Sequence, residues 1–236
     1  MERRPVLALT GAGISVESGI PDFRGKNGLW SRYDPSRYAT IDAFLKDPAE
    51  VWNMLREMDA LVLNAKPNPA HRGLGILEQK GYLEYIITQN VDNLHQDGGA
   101  GNVVEYHGNC STLSCLFCGK KYSMAEKRHE YLPKCQCGRI LKPDVVFFGE
   151  SIPEKALNLS FHLASKAHAL LIIGTSAQVS PANTIPVVAS GNNAKIIEIN
   201  KEETWLTDQL SDIFLEGEAG EIITGIVEEI DRINEG

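Results

Sequence analysis

Four short apolar runs constrain the fold of this 236-residue chain more than any other feature. They are VLAL at 6–9, YIIT at 85–88, ALLIIG at 169–174 and KIIEIN at 195–200. Each is nearly continuous rather than alternating, the pattern of a strand covered on both faces. Each runs into a polar or glycine-bearing turn: TGAG, TQNVDN, GTSAQ and NKEET. Helical patterns such as 69–80 and 154–167 lie between them. Strand and helix alternating in this way predict an α/β fold with a doubly wound parallel sheet, and ligands bind such sheets at the carboxyl ends of the strands. The stretch 221–234 spaces Ile222, Ile223, Ile226, Val227, Ile230 and Ile233 along one helix face, as a packing helix does.

Two stretches break the alternation. From about 27 to 69 the chain has aromatic and helical character (Trp30, Tyr33, Tyr38, Phe44, Trp52) without a clear strand. From about 110 to 143 it carries all five cysteines and many basic residues. Both read as insertions that together build a smaller lobe. Cys115 and Cys118 form one close pair and Cys135 and Cys137 another, with 16 residues between them. Two knuckles of this kind can present four thiolates to a tetrahedral zinc, although reduced free thiols would leave the same sequence. A zinc with four thiolates has no open position, so its expected role is structural. Gly119 and Gly138 follow the pairs where a tight turn benefits from glycine. Cys110 is a spare, read as a small half-buried thiol rather than a fifth ligand.

The net charge of −8 argues against nucleic acid as the main partner. It suits a cationic substrate, though an acidic balance also serves solubility alone. No apolar run approaches membrane-spanning length, and MERRPVLALTGAG turns straight into a glycine loop. The expected location is the cytoplasm.

That loop, GAGISVESGIPDFRG at 11–25, places Gly11, Gly13, Gly19 and Gly25 after the first strand. Such loops bring backbone N–H groups close to a pyrophosphate. A plain glycine-rich connection is the alternative, but it would not require Asp22, Phe23 and Arg24. The loop reads as a ligand site whose ligand it does not itself identify.

Four further segments follow in order: TQNVDNLHQ at 88–96, VVEYHGN at 103–109, KPDVVFFGE at 142–150 and GTSAQVSPA at 174–182. With the glycine run and the cysteine pairs, this ordered set resembles the sirtuins, a family of NAD-dependent protein-lysine deacylases, over roughly 6–220. The resemblance implies a Rossmann-like NAD-binding domain (1–30, 68–109 and 144–236). It also implies a small lobe made of a helical module (31–67) and a zinc-binding module (110–143). NAD and an acetyl-lysine protein or peptide would enter the cleft between them from opposite sides. The acyl group would pass from lysine to ADP-ribose, releasing nicotinamide and 2′-O-acetyl-ADP-ribose. The same scaffold with a different acceptor would be a protein ADP-ribosyltransferase.

The resemblance also implies roles residue by residue. His107 is the catalytic base, a task that suits a group titrating near neutral pH. The preceding Tyr106 replaces the leucine more usual in the family. Gly11, Ala12, Gly13, Ser15, Ile20, Asp22, Phe23 and Arg24 would line the nicotinamide and phosphate region. Phe23 would shield the reactive ribose carbon from water, and Arg24 would contact phosphate or ribose. This loop, about 12–30, would order on NAD binding as a moving lid. Gln89, Asn90 and Asp92 would hold the nicotinamide ribose and carboxamide, although Asn90 and Asp92 also suit simple turn chemistry after a strand. Gly174, Thr175 and Ser176 would approach the diphosphate and adenosine ribose, Asn200 and Glu202 would take the adenosine ribose with Lys201 between them in the cofactor site, and Ala219 would meet the adenine. Val145, Val146, Phe147, Phe148 and Gly149 would pair with the substrate backbone, a segment that an ordinary buried strand would resemble.

One branch of the family takes acidic acyl groups, using a Tyr and an Arg three residues apart. VWNMLREM at 51–58 offers Leu55 and Met58 there, with Arg56 facing elsewhere, so an apolar acyl group is expected over succinyl or malonyl. His95 is expected to serve structural hydrogen bonding. His71, His129, His162 and His168 are expected on the surface or in packing.

Overall fold

The structure is a computed structural model, and residues 5–23, 25 and 28–235 are described. Its strands in chain order are β1 (Val6–Thr10), β2 (Tyr85–Thr88), β3 (Val103–Glu105), β4 (Gly108–Ser114), β5 (Lys121–Ser123), β6 (Lys142–Val145), β7 (Ala169–Ile173), β8 (Lys195–Asn200) and β9 (Ile213–Glu216). Six form one sheet in the order β3-β2-β1-β7-β8-β9, and every neighbouring pair is parallel. The other three form a small antiparallel sheet, β5-β4-β6. The small sheet is inserted between β3 and β7. Set aside, it leaves the 3-2-1-4-5-6 order of a doubly wound dinucleotide fold. The direction of strand addition reverses between β1 and β7, which opens a crevice at their carboxyl ends.

The period-two geometry of a strand explains why the apolar runs are continuous. Leu7, Leu9, Leu170 and Ile172 enter the core on one face, against Leu163 and Ala164 of the Glu154–Lys166 helix and Ile185 and Ala189 of the Thr184–Gly191 helix. Ala8, Leu171 and Ile173 enter the other face. There they meet Leu74 and Leu77 of the Pro69–Gln79 helix and the apolar stripe of the Ala219–Glu235 helix. Of the six apolar residues expected on that stripe, Ile233 in the last turn stays exposed. Among the described residues no helix is long and apolar enough to cross a membrane.

A third core joins the two inserted stretches. Phe44, Val51 and Trp52 pack with Leu113, Cys115, Met124, Cys135, Leu141 and Phe147. Trp52 is fully buried, and its indole N–H donates to the Leu141 carbonyl at 3.0 Å. The Pro48–Asn64 helix that carries it is started by Asp47, whose carboxylate accepts the Glu50 N–H, and by Pro48 in its first turn. The helix therefore lies fixed against the small sheet, with its other side toward the cleft.

Candidate active site

The turns after β1 and β7 touch. Gly11 N–H donates to Ile173 O at 3.0 Å and Gly13 N–H to Gly174 O at 2.8 Å. A Cβ on Gly13 would lie 2.7 Å from both the Cα and the carbonyl oxygen of Gly174. Gly174 itself sits at φ +59, where a side chain would be strained. These glycines thus serve backbone-to-backbone approach, and the N–H groups of Gly11 and Gly13 are spent within the protein. The next segment is not an open loop either. Ala12–Ser18 winds as a 3-10 helix that ends at Gly19 in the left-handed region, φ 86.

A cavity of about 890 Å³ opens from this junction. Every described residue expected to bind cofactor or substrate borders it. Gly11, Ala12, Gly13, Ser15 and Ile20 do so from the first turn, with Asp22 and Phe23 beyond. Gln89, Asn90, Asp92 and His107 form the middle. Gly174, Thr175, Ser176, Asn200, Lys201, Glu202 and Ala219 form one end, and Val145 to Gly149 the facing wall. Arg24 lies outside the described residues.

A buried polar floor underlies the middle. Asn90 Nδ2 donates to Gly11 O and to Ser15 Oγ, both at 3.1 Å. Ser15 Oγ donates to Asp92 Oδ2 at 2.7 Å, while Asp92 Oδ1 accepts the Leu94 N–H at 3.0 Å. Asp92 thus makes the turn and also borders the cavity. Burial pushes its carboxyl above the ordinary value. Gln89 Nε2 donates to Thr175 Oγ1 at 3.1 Å, tying the β2 turn to the β7 turn. Asp22 spends a carboxylate oxygen on the Gly25 N–H at 2.8 Å. Phe23 stacks on Trp30, with centroids 5.1 Å apart.

His107 Nδ1 lies 3.1 Å from the Gln89 carbonyl oxygen. A carbonyl only accepts, so Nδ1 carries the proton and Nε2 is left with its lone pair. Burial lowers the imidazole's pKa and the Gln89 carbonyl partly opposes this, so the net shift is downward. The ring is neutral at pH 7. Tyr106 is fully buried in the core and meets His107 edge-on at 5.4 Å. Its side chain supports the histidine from beneath and does not border the cavity.

Two more histidines lie under the floor. His95 Nε2 is 2.8 Å from Thr10 Oγ1, and burial drives its pKa down to about 3. His71 is fully buried, its Nδ1 accepts the Asn68 N–H at 3.3 Å, and its pKa is down to about 4. Of the surface or packing places expected for His71, burial beside Ser15 is the one it takes. Acid is expected to weaken the fold through this pair. Both titrate near 6.5 once unfolded, so their contribution is full above that pH and is lost as pH falls toward about 4 and about 3. The slope is up to about 1.4 kcal/mol per pH unit for each. Thermal melts below pH about 6.5 check this, and a melting temperature that stays flat there would contradict it.

Beyond the 145–149 wall the cavity is apolar. Met54, Leu55, Met58 and Val62 of the Pro48–Asn64 helix border it, and so does Met124. Arg56 points away, over the Trp52 ring and toward the carbonyls of Arg128 and Tyr131. Asp59 also borders the cavity, but both its oxygens accept from Arg128, at 2.9 and 3.0 Å. Sequence reasoning missed Met54, Val62 and Met124. It also missed Val179, Ser180 and Trp205 at the other end, although the first two stand in a segment singled out above.

The four paired cysteines converge as the spacing predicts. All four sulfurs lie within 4.8 Å of one another, with Cys115–Cys137 at 3.6 Å and Cys118–Cys135 at 3.5 Å. A tetrahedron with metal–sulfur bonds of about 2.3 Å has edges of about 3.8 Å, so the donor set fits zinc. Gly119 and Gly138 turn each knuckle at φ +71 and +83. Cys110 stands apart at the cavity edge, its thiol pushed up to about 11 by burial.

Residues 11–181 match the profile of the Sir2 family. The chain is 46% identical over 235 residues to the NAD-dependent protein deacylase of Pyrococcus furiosus, covering 97% of this chain and 94% of that protein. It superposes on a mutant Sir2 homologue in complex with ADP ribose with a TM-score of 0.93, at 41% identity, covering 98% and 93% of the two chains. Against a Sir2–p53 peptide–NAD+ complex the TM-score is 0.88, at 36% identity, covering 97% and 94%. On fold, site geometry and sequence together, the chain belongs to the Sir2, or sirtuin, family.

Proposed function

We propose that this protein is an NAD-dependent protein-lysine deacylase that prefers apolar acyl groups, acetyl foremost. The observation that carries the reading is His107. A neutral imidazole, its tautomer held by the Gln89 carbonyl, stands between the Gln89–Asp92 floor and the 145–149 wall. NAD supplies the electrophilic ribose carbon and the ADP-ribose that takes the acyl group. The chain's own residues do the rest. Asn90 and Asp92 orient the nicotinamide ribose and carboxamide, and Phe23 shields the reacting face from water. His107 Nε2 takes the proton from a ribose hydroxyl. With one water consumed to release the amine, the products in this reading are nicotinamide, free lysine and 2′-O-acetyl-ADP-ribose. The four cysteines would hold one zinc with no open position, which confines the ion to structure.

The acyl preference rests on the apolar end of the cavity. Three of the chain's four methionines border it, and thioether side chains adapt to varied apolar shapes. Among the described residues that border the cavity the only lysine or arginine is Lys201, which follows β8 and pairs with Glu218 at 2.7 Å. A succinyl carboxylate beside Leu55 and Met58 would be buried without a partner, a cost of about 3 kcal/mol or more. Acetyl-peptide is therefore expected to exceed a matched succinyl-peptide in kcat/KM by at least about 100-fold. Nicotinamide release across an acyl-peptide panel with NAD measures it, and succinyl turnover equal to acetyl would sink the preference.

A further inference from the structure

The segment KPDVVFFGE walls the cleft from Val145 onward, with Glu150 itself bordering the cavity and Lys142 behind it, and neither Lys142 nor Glu150 has a part in the chemistry above. Lys142 is a buried cation, its side chain 6% exposed. An ammonium carries three protons, and here three oxygens surround it. They are Pro143 O at 3.1 Å, Val145 O at 2.7 Å and Glu150 Oε2 at 2.8 Å. The same Glu150 oxygen accepts the Phe147 N–H at 2.8 Å, and the Glu150 N–H returns to Phe147 O at 3.0 Å. Lys142 Nζ also lies 4.4 Å from the centre of the Phe147 ring, which packs on Phe44 at 5.9 Å. Residues 142–150 are thus closed on themselves around one ammonium.

Burial alone does not explain this arrangement. Apolar side chains of similar volume often replace a buried ion pair without loss of stability. Phe44, Leu113 and Leu141 already surround Phe147 with an apolar core. What the ammonium adds is direction. It fixes the Val145 carbonyl and the Phe147 backbone, and between them Val146 donates its N–H to His107 O at 2.9 Å. On the far side Phe148 exchanges backbone bonds with Ala39 and Ile41. The course of the peptide-facing wall is set at both ends and from behind.

We infer that Lys142 and Glu150 are positioning residues for the acyl-lysine substrate, holding the 145–149 wall in its binding shape before the peptide arrives. The inference rests on the deacylase reading. Preorganisation of this kind appears in the affinity for the segment's own ligand and not in affinity for a ligand held elsewhere.

The test uses the full-length protein, wild type and the variants Lys142→Met, Glu150→Gln and Lys142→Arg, with an acetyl-lysine peptide and NAD. KM for the peptide is expected to rise about tenfold in Lys142→Met and several-fold in Glu150→Gln, with kcat within twofold. KM for NAD and the calorimetric affinity for ADP-ribose should stay within twofold. Lys142→Arg, which keeps the charge and the donors, should restore most of the peptide KM. An unchanged peptide KM in a folded Lys142→Met protein overturns the inference, as does a parallel loss of ADP-ribose affinity, which would mean general loosening. If Lys142→Met does not fold, an unchanged peptide KM in Glu150→Gln overturns it alone. No turnover by the wild type overturns the deacylase reading and this inference with it.

Discussion

Replacing His107 by alanine is expected to lower deacylation by about 10²–10⁴-fold, the range that a positioned general base supplies. The side chain has one structural bond, from Nδ1 to the Gln89 carbonyl, so its loss should leave folding and ADP-ribose affinity near those of the wild type. The loss should therefore fall in kcat. The wild-type pH profile carries the same signature. Burial holds the pKa of His107 below the ordinary histidine value of 6.5, so the base form prevails at neutral pH. Activity is expected to fall only as pH drops below that value, with the acid limb on the low side of 6.5. An acid limb above 7, or an alanine variant retaining a tenth of the activity, would remove His107 from this role.

Removing zinc is the second large effect. Cys115 and Cys135 are buried members of the same core as Phe44, Trp52, Leu141 and Phe147. The metal site is thus part of the packing that carries the 145–149 wall, not an appendage. Structural zinc sites of four thiolates contribute folding free energy directly, of order 10 kcal/mol in small domains. Chelation, or Cys135→Ser, is expected to lower the melting temperature by at least about 10 °C, since about 1 kcal/mol moves a domain of this size by about 2–4 °C. Peptide turnover should vanish with it. Metal analysis of the active protein should find one zinc per chain. A metal-free protein with unchanged melting and turnover would contradict the assignment.

Much of this site can be read in the sequence because its parts are local. The two knuckles each place their ligands within a few residues, so the spacing points to them, and the convergence of the four sulfurs bears this out. β1, β2, β7 and β8 announce themselves because burial on both faces makes their apolar runs nearly continuous, with Glu198 of β8 a buried exception. β3 and β9 do not, being three and four residues long at the two edges of the sheet, with Ile213 48% exposed. What the sequence hides is what depends on partners far along the chain. Gly11 and Gly13 sit in a loop whose local sequence gives no sign that the turn after β7 takes their N–H groups. Met54 and Met124 reach one apolar pocket from elements that no local pattern connects. His71 reads as an ordinary helix residue, and only the tertiary structure buries it beside Ser15. Lys142 is hidden for another reason: a lysine reads as a surface residue, yet its three protons all meet oxygens within its own nonapeptide.

The central claim is that the chain moves an acyl group from lysine to ADP-ribose, and product analysis tests it most directly. The protein is incubated with NAD and an acetyl-lysine peptide, and all products are weighed by mass spectrometry. The expected result is deacetylated peptide, nicotinamide and 2′-O-acetyl-ADP-ribose in equal amounts, lost in His107→Ala. A peptide or protein that gains ADP-ribose while keeping its acetyl group, or NAD left unconsumed, would contradict it.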